Sequence, residues 1–406
     1  MPKSRSSRAS ASVESTINLA SADQWLEQER ETDPVFRSTV AVTGATGFIA
    51  RFIVKMLLER GYRVHGSVRN LADTAALAQL RALPNAELRL NLFELDLLDS
   101  NLASSAQPFL TSCHALIHTA TPIHIALGTE TGLTPAEVVE QQLKPAVQGT
   151  ERLLMAARES GVRRVVLTCS TGCIKGSAAM DAARASGLRV AEDVWTEEAY
   201  CIAAGQHYRR AKLLQERRAV EFCAANGMVL DRIHPDLVLG PKLDPHRLNF
   251  SHKYLLRYLD GSLKADGHVR DGIVGMVDVR DVALAHIRAA EQLMRGGADG
   301  NGGRRYVMSV PYIVNRVLCD RLRLILASAP AWARDNVPSP GGGGGGGDDA
   351  AAAAAAGEMV PPTVECGPVE KLIGAPLRGW ESVLRDTVET LVEGGWLKEK
   401  RESSRL

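Results

Sequence analysis

Tyr208 and Lys212 stand four residues apart in a stretch whose apolar spacing predicts a helix over 205–225. On a helix the two side chains lie one turn apart on the same face. An ammonium beside a phenol favours the phenolate, so a tyrosine with an ordinary pKa of ~10 is drawn toward neutral pH and suits proton transfer. The same spacing also occurs by chance on solvated helix faces, so the pair by itself decides nothing.

Ser170 is a second candidate, and it closes the apolar run 164–169. A parallel strand ending there would place the hydroxyl at the sheet edge where open α/β sheets bind ligands. A hydroxyl in that position can donate to a carbonyl oxygen as negative charge develops on it. It can equally cap the loop that follows, and position alone does not separate the two roles.

A glycine-rich turn over 43–50, with Gly44 and Gly47, follows the β-branched run 39–42 and precedes apolar residues at helical spacing. A strand, a tight turn and a helix N-terminus together present backbone N–H groups and the positive end of the helix dipole to a phosphate. Ala50 is small enough for the helix to pack closely on its strand. The alternative is a strand-turn-helix without a ligand. The next segment, 61–69, reads as the second strand of a βαβ unit and favours a dinucleotide.

Strands and helices alternate along most of the chain. The pattern predicts strands at 39–42, 64–69, 87–96, 115–120, 164–170 and 228–233, and helices at 48–58, 74–83, 136–160 and 205–225. This alternation predicts an α/β fold, namely a Rossmann-type doubly wound parallel sheet with a smaller C-terminal substrate-binding lobe. We expect an NAD(P)-binding domain over 38–241 and the lobe over 242–400. Returning elements near 276–310 include a helix capped by Asp278 and a strand over 305–308, and a further helix is expected over 380–391.

The composition excludes several classes of partner. The chain has 406 residues and a formal net charge of +1, which favours neither nucleic acid nor a membrane surface. No apolar run approaches the ~18 residues of a membrane-spanning helix. Seven scattered cysteines indicate free thiols in a reducing compartment, and no metal site is expected.

Two segments look unable to form a core. Residues 1–37 read as a disordered N-terminal tail, and a Gly/Ala tract at about 338–360 reads as a disordered low-complexity insert. We expect a cytoplasmic protein, and the Ser- and Arg-rich start leaves an organelle as the alternative.

Eight motifs then occur in one fixed order, and together they are far more specific than any one alone. They are Thr43-Gly-Ala-Thr-Gly-Phe-Ile, the segment 61–69, Asp96-Leu97, the segments 118–122 and 164–170, Tyr208-x-x-x-Lys212, and the segments 235–241 and 278–283. The series resembles the extended short-chain dehydrogenase/reductases, in particular the branch of dihydroflavonol, cinnamoyl-CoA and methylglyoxal (aldehyde) reductases. The resemblance spans about 38–396 apart from the insert.

The resemblance implies a catalytic triad of Ser170, Tyr208 and Lys212 and the cofactor NADP(H). The implied cofactor-binding residues are Gly44, Thr46, Gly47, Phe48, Ile49, Arg69, Asp96, Leu97, Thr119, Ala120, Thr121, Tyr208, Lys212 and Pro235. Arg69 also favours NADP over NAD on physical grounds, because a guanidinium at the end of the second strand suits a 2′-phosphate.

The implied reaction is hydride transfer to an aldehyde or ketone, in which the protein orients the cofactor and the substrate. Tyr208 would donate the proton and Ser170 would polarise the oxygen. Lys212 would lower the pKa of the tyrosine and bind the ribose.

Three positions depart from the pattern of the relatives. No basic residue follows Arg69 over 70–74, where the relatives commonly have one, so the grip on the phosphate is expected to be weaker. Lys175 stands where dihydroflavonol reductases often have Asn, which puts a flavonoid substrate in doubt. Asp236 replaces an uncharged residue beside the expected nicotinamide site, and a pairing with a basic neighbour is the one explanation available.

Two other functions stay open. An NAD-dependent sugar-nucleotide epimerase or 3-beta-hydroxysteroid dehydrogenase uses the same triad with tightly held NAD⁺, and Arg69 and the segment 119–122 argue against it. A catalytically silent dinucleotide-sensing protein would bind other proteins, and the retention of Tyr208 and Lys212 argues against that. We expect the irregular region 244–275 to select a small carbonyl substrate, while the oligomeric state is left open.

Overall fold

The computed structural model describes residues 33–121, 134–176, 189–244, 247–265, 272–296, 303–338 and 362–397. Most of the predicted N-terminal tail and nearly all of the predicted Gly/Ala insert lie outside these residues. Part of the region expected to select the substrate, 245–246 and 266–271, lies outside them as well.

A seven-stranded parallel sheet forms the centre of the fold. Its spatial order is β11-β7-β5-β4-β1-β2-β3. The strands are β1 Thr39–Val42, β2 Arg63–Val68, β3 Leu90–Glu94, β4 Ala115–His118, β5 Arg164–Thr168, β6 Arg189–Val190, β7 Val229–Pro235, β8 Leu237–Leu239, β9 Ile273–Val274, β10 Met276–Asp278, β11 Arg305–Met308, β12 Ile313–Val314 and β13 Thr363–Val364. The order reverses between β1 and β4, and ligands of doubly wound sheets bind at the carboxyl ends of the strands at such a point.

Helices cover both faces of this sheet. The helices are α1 Phe48–Glu59, α2 Thr74–Arg81, α3 Ala86–Arg89, α4 Leu102–Ser105, α5 Gln107–Leu110, α6 Pro135–Val138, α7 Lys144–Glu159, α8 Glu198–Ala203, α9 His207–Ala225, α10 Phe250–Leu259, α11 Ser262–Ala265, α12 Val279–Met294, α13 Asn315–Ile325, α14 Ala331–Asp335, α15 Gly367–Ile373 and α16 Trp380–Glu393. Successive residues of a strand point to opposite faces. Accordingly, Val40 and Val42 pack in the core with α1 and α12, whereas Ala41 packs in the core with α7 and α9.

A third core lies outside the sheet. It is built by α10, α13 and α16 with the short strand pairs β8–β10 and β9–β12. Helix α12 leads from this part back to the main sheet, and the Asp278 carboxylate caps it by accepting the backbone N–H of Arg280. The predicted strand over 305–308 then becomes β11, the edge strand of the main sheet.

Two predicted elements differ from the structure. Residues 86–89 form the short helix α3 instead of the start of a strand, because the left-handed Asn85 turns the chain just before them. The helix predicted over 136–160 contains a π-helical turn at Val139–Leu143 between α6 and α7. Within the described residues, no helix combines the length and apolar character needed to span a bilayer. All seven cysteines are free, as predicted.

Candidate active site

Ser170, Tyr208 and Lys212 meet at the carboxyl edge of the sheet. Ser170 lies two residues beyond the end of β5, and Lys212 Nζ donates to the carbonyl oxygen of Thr168, the last residue of that strand, at 2.7 Å. Tyr208 and Lys212 occupy the first two turns of α9, as predicted. The structure therefore brings the three predicted catalytic residues together.

Tyr208 is a protonated phenol at neutral pH. Burial raises its pKa to about 12, and a hydrogen bond from Ser170 opposes this rise. The expectation that the Lys212 ammonium draws this pKa down is not met, because desolvation outweighs the groups that favour the phenolate. A phenol that keeps its proton suits the donation of a proton to a substrate oxygen.

Lys212 is almost fully buried, with 3% of its surface exposed. Besides the Thr168 carbonyl, its ammonium donates to Gln215 Oε1 at 2.8 Å and to Thr121 Oγ1 at 3.1 Å. Burial lowers the pKa of Lys212, and the hydrogen-bonded oxygens accept its three N–H groups. The lysine thus fixes the start of α9 against the end of β5 and the loop after β4.

Ser170 takes the capping role that its position allowed, and it also contacts Tyr208. Its Oγ accepts the backbone N–H of Gly172 at 3.0 Å and so caps the 3₁₀ turn Thr171–Cys173. The same hydroxyl hydrogen-bonds to Tyr208 and lowers the pKa of the phenol. The cap holds the serine side chain in place beside the tyrosine.

The glycine-rich turn has the geometry of a dinucleotide cradle. Gly44 adopts a φ of +63°, and a Cβ there would stand 3.0 Å from the Ala120 Cβ. A Cβ on Gly47, the residue that precedes α1, would stand 3.0 Å from the Gly44 carbonyl oxygen. Both glycines keep the backbone open next to the first N–H groups of α1, which fits a pyrophosphate.

A buried chain of polar side chains connects this turn to Lys212. Thr43 Oγ1 lies 2.9 Å from His118 Nδ1, and His118 Nε2 lies 3.0 Å from Thr150 Oγ1. Gln215 Nε2 donates to Thr150 Oγ1 at 2.7 Å and so reaches the lysine. Burial lowers the pKa of His118 to about 3, which keeps the ring neutral. Sequence reasoning assigned no role to these residues, although His118 opens one of the motifs.

Thr43 also orders the loop that was predicted to face the nicotinamide ribose. Its hydroxyl accepts the backbone N–H groups of Thr119 and Ala120, each at 3.0 Å. The Thr119 hydroxyl donates back to the Thr43 carbonyl at 2.6 Å. The loops after β1 and β4 are thus joined at the point where the strand order reverses.

Arg69 lies at the rim of a cavity of about 250 Å³ beside the glycine-rich turn. Its lining includes Thr46, Gly47, Phe48, Arg51, Arg69, Lys242, Asp244 and Arg247. Four of these residues are basic and one is acidic, so the cavity attracts an anion. Basic residues from other segments of the chain thus lie in the same cavity as Arg69, although none follows Arg69 directly in sequence.

Two of these cations are fixed by neighbouring groups. Arg51 Nη1 pairs with Asp244 at 3.0 Å, and its Nη2 donates to the Thr46 carbonyl at 3.0 Å. Lys242 donates to the backbone carbonyl of Arg247. Burial, assisted by Arg51 and opposed by Asp244, lowers the pKa of Lys242 to about 8.

The other predicted cofactor residues lie along the same edge. Asp96 and Leu97 follow β3, where the Asp96 carboxylate accepts the backbone N–H of Leu98. Phe48 and Ile49 form the first turn of α1, and Pro235 ends β7 as a buried residue.

Residues 40–307 match the NAD dependent epimerase/dehydratase family. The chain belongs to this family. Cinnamoyl-CoA reductase 2 of Medicago truncatula is 37% identical over 253 residues, which cover 62% of this chain and 68% of the relative. Gre2 of Candida albicans, solved in complex with NADPH, is 26% identical with a TM-score of 0.66. The match covers 88% of this chain and 99% of the Candida chain.

Yeast methylglyoxal/isovaleraldehyde reductase Gre2, also solved with NADPH, has a TM-score of 0.68 at 24% identity and covers 89% of this chain and 100% of its own. These matches confirm the predicted resemblance and the Rossmann-type fold. They also confirm the predicted class, an NAD(P)-dependent oxidoreductase.

Two of the residues that depart from the family pattern contact each other. Lys175 Nζ lies 2.5 Å from Asp236 Oδ2, and this ion pair explains the carboxylate that sequence reasoning left open. The pair sits beside the end of β7, next to the predicted cofactor residue Pro235.

A second buried charge cluster lies beneath the site and is centred on Glu216, one turn after Lys212. Arg305 Nε donates to Glu216 Oε1 at 2.9 Å, Arg232 Nη1 lies 3.6 Å from the same oxygen, and His234 Nε2 lies 3.0 Å from Oε2. Burial by itself raises the pKa of Glu216, but His234, Arg305 and Arg232 outweigh it and hold the pKa at about 2. Burial also lowers the pKa of His234.

Cys169, Glu216 and His234 offer potential metal ligands within 4.8 Å of one another in the part of the chain that the structure describes. Two guanidiniums already face the single carboxylate, and burial raises the pKa of the Cys169 thiol. Both features disfavour a cation at this position.

Proposed function

We propose that this chain reduces an aldehyde or ketone carbonyl with NADPH. The observation that carries the proposal is the meeting of Ser170, Tyr208 and Lys212 at the same sheet edge as the Gly44 turn and the basic cavity beside Arg69. The reductases among its relatives and the NADPH complex of the Candida protein support it.

Each residue has a task that its contacts allow. NADPH, when bound, supplies the hydride to the carbonyl carbon. Ser170 donates to the carbonyl oxygen and stabilises the charge that develops on it. Tyr208 then gives its proton to that oxygen, which completes the alcohol. Lys212 keeps α9 and the loop with Thr121 in register and lies where the ribose is expected.

The basic cavity favours NADPH over NADH. Arg69, Arg51, Lys242 and Arg247 converge from three segments, and Asp244 balances one of the four charges. An NAD-binding site of this fold usually carries an acid for the ribose hydroxyls at the end of the second strand, where this chain has Arg69. A 2′-phosphate at this place would gain charge-assisted hydrogen bonds.

The deciding experiment follows NADPH consumption spectroscopically with aldehydes, α-dicarbonyls, ketosteroids and a dihydroflavonol, with NADH in parallel. Turnover with NADPH on any of these compounds supports the proposal, and the best compound names the substrate class. Cofactor binding without turnover on the whole panel contradicts it. Purification with bound NAD⁺ would then favour the epimerase. Purification without bound NAD⁺ would favour the silent sensor.

We predict that NADPH affinity falls as the pH rises from 7 to 9. The pKa of Lys242 is about 8, so its ammonium, the form that attracts phosphate, is lost over this range. The 2′-phosphate is already ionised there, since phosphate monoesters have a second pKa of about 6. Titration of cofactor fluorescence should show the NADPH Kd rising by up to about tenfold, as one charged contact is lost.

The Lys242→Met variant separates this effect from general pH sensitivity. It should bind NADPH about tenfold more weakly at pH 7 and show a flat profile to pH 9. The Lys371→Met variant, which changes a lysine outside this cavity, should keep the NADPH affinity and the pH dependence of the parent. Equal changes in the NADPH and NADH constants would show that Lys242 does not contact the 2′-phosphate.

A further inference from the structure

Lys175, Asp236 and Tyr312 form a polar cluster that the reaction proposed above does not use. Lys175 Nζ donates to Asp236 Oδ2 at 2.5 Å and to the Tyr312 hydroxyl oxygen at 2.8 Å. The Tyr312 hydroxyl donates to the same carboxylate oxygen at 2.6 Å. The ammonium also lies 4.7 Å from the centroid of the Tyr312 ring, within the range of a cation–π contact.

The cluster belongs to the same sheet edge as the catalytic residues. The Lys175 backbone N–H donates to the Thr171 carbonyl at 2.9 Å, in the turn that Ser170 caps. The side chain of Arg209, the neighbour of Tyr208, donates to the Lys175 carbonyl at 2.7 Å. Asp236 directly follows β7. A substrate placed between Ser170 and Tyr208 therefore lies next to this cluster.

Asp236 is occupied mainly by contacts within the protein. Its Oδ1 accepts the backbone N–H of Leu237 at 3.1 Å, and its Oδ2 receives Lys175, Tyr312 and, at 3.3 Å, the Ser309 hydroxyl. A carboxylate has about four acceptor sites, and these contacts occupy most of them. Its role is to orient the lysine and to cancel the lysine charge.

The backbone closes tightly over the cluster at Gly275. A Cβ on this residue would stand 2.3 Å from Asp236 Oδ2 and 2.4 Å from Tyr312 Cε1. The Lys175 side chain is 21% exposed, against 12% for Asp236, and Tyr312 is 6% exposed. Lys175 is therefore the most exposed member of the cluster. An ammonium has three N–H groups, and the described residues receive two of them.

We propose that this cluster selects substrates by charge. Lys175 donates to a neutral oxygen of the substrate beyond the reacting carbonyl, such as a hydroxyl or a second carbonyl. Asp236, by cancelling the ammonium charge, excludes substrates that carry a carboxylate at that place. The inference rests on the proposed carbonyl reductase activity and names the class of substrate that this activity accepts.

The test compares three five-carbon compounds: 2-pentanone, 2,3-pentanedione and 2-oxopentanoate. The compounds differ in intrinsic reactivity, so the informative quantity is the change in a kcat/KM ratio between a variant and the parent. Lys175→Met should lower the ratio of dione to ketone by about ten- to a hundredfold, the value of a charge-assisted hydrogen bond. Lys371→Met serves as the matched control. NADPH affinity and thermal unfolding are measured for every variant.

Asp236→Asn gives a result that a merely structural role would not produce. With the ammonium charge uncompensated, kcat/KM for 2-oxopentanoate should rise about tenfold relative to the dione. The double variant with Lys175→Met should lose this gain, because the carboxylate then has no cation to meet.

The inference would be overturned if Lys175→Met and Asp236→Asn folded and were active but had the same kcat/KM ratios between the compounds as the parent. If the cluster only joined two parts of the fold, the variants would be less stable and kcat/KM would change equally for all three compounds. That result would also overturn the inference. Failure of the parent to oxidise NADPH with these compounds and with the wider panel would instead refute the proposed reductase, and the inference would fall with it.

Discussion

A Tyr208→Phe variant is expected to lose about 10²- to 10⁴-fold in kcat for carbonyl reduction, the range measured for the removal of a general acid. The variant keeps the ring and deletes only the hydroxyl that carries the proton. Burial holds the pKa of this phenol at about 12, so the phenol stays protonated throughout the neutral range. Stopped-flow or steady-state absorbance of NADPH at saturating cofactor measures the loss.

The matched control is Tyr62→Phe. Tyr62 is a fully buried tyrosine at the opposite, amino-terminal edge of the sheet, where its hydroxyl donates to Glu291 at 3.0 Å. This variant should turn over like the parent, and the NADPH Kd of Tyr208→Phe should change far less than its kcat. Parent-like turnover in Tyr208→Phe would rule out the phenol as the proton donor.

An Arg305→Met variant is expected to lose about 3–5 kcal/mol of unfolding free energy, because it removes the nearer of two guanidiniums from a buried carboxylate. Arg305 donates to both oxygens of Glu216, which is fully buried, and to the carbonyl oxygens of Glu192 and Val194 at 2.8 and 2.6 Å. Its guanidinium also stacks 3.9 Å from the centroid of the Trp195 ring. Urea unfolding followed by fluorescence and circular dichroism measures the loss.

The control for this variant is Arg295→Met, which removes a guanidinium that is 40% exposed and paired with Asp33. An exposed pair contributes about 0–1 kcal/mol, so the two variants should differ clearly. A double variant with Glu216→Gln should lose less than the sum of the two single variants, since the buried carboxylate charge that Arg305 faces is removed as well. A loss in Arg305→Met no larger than that of the control would show that the cluster is not a stabilising centre.

The pH dependence of this contribution has a definite sign. The pKa of Glu216 is held at about 2 in the folded protein, below its ordinary value of 4.5. A depressed carboxyl pKa stabilises the fold above the unfolded value, and the stabilisation is lost as the pH falls from about 4.5 toward 2. The parent should therefore lose more stability than Glu216→Gln over this acid range.

The sequence was sufficient to predict the strands of the main sheet and the meeting of Ser170, Tyr208 and Lys212, because both depend on local patterns. Hydrophobic period and glycine placement predicted the strands β1 to β5 and β7, and spacing four residues apart predicted that Tyr208 and Lys212 share a face. The position of Ser170 followed from the end of β5, since the carboxyl ends of parallel strands meet at one edge. These features need no knowledge of distant contacts.

Contacts between segments that are distant in sequence could not be predicted from the sequence. Arg51 and Lys242 are 191 positions apart, and only the folded chain places both in the cavity beside Arg69. The same holds for Lys175 and Asp236, which looked like two unrelated departures until the fold paired them. The pKa of Tyr208 was wrongly expected to fall, because a sequence shows the nearby charge and not the burial that outweighs it.

The path of the chain restricts how such an enzyme can change its substrate. After β7 the chain leaves the main sheet for β8 and β10, returns through α12 and β11, leaves again for α13, packs α15 back against α12 and ends in α16. The chain thus crosses several times between the main sheet and the part built around the third core. Neither part is one continuous segment of the sequence. New substrate specificities should therefore arise by individual substitutions at positions such as Lys175 and Asp236. Replacing the whole C-terminal region with that of another protein would also replace β11, the edge strand of the main sheet.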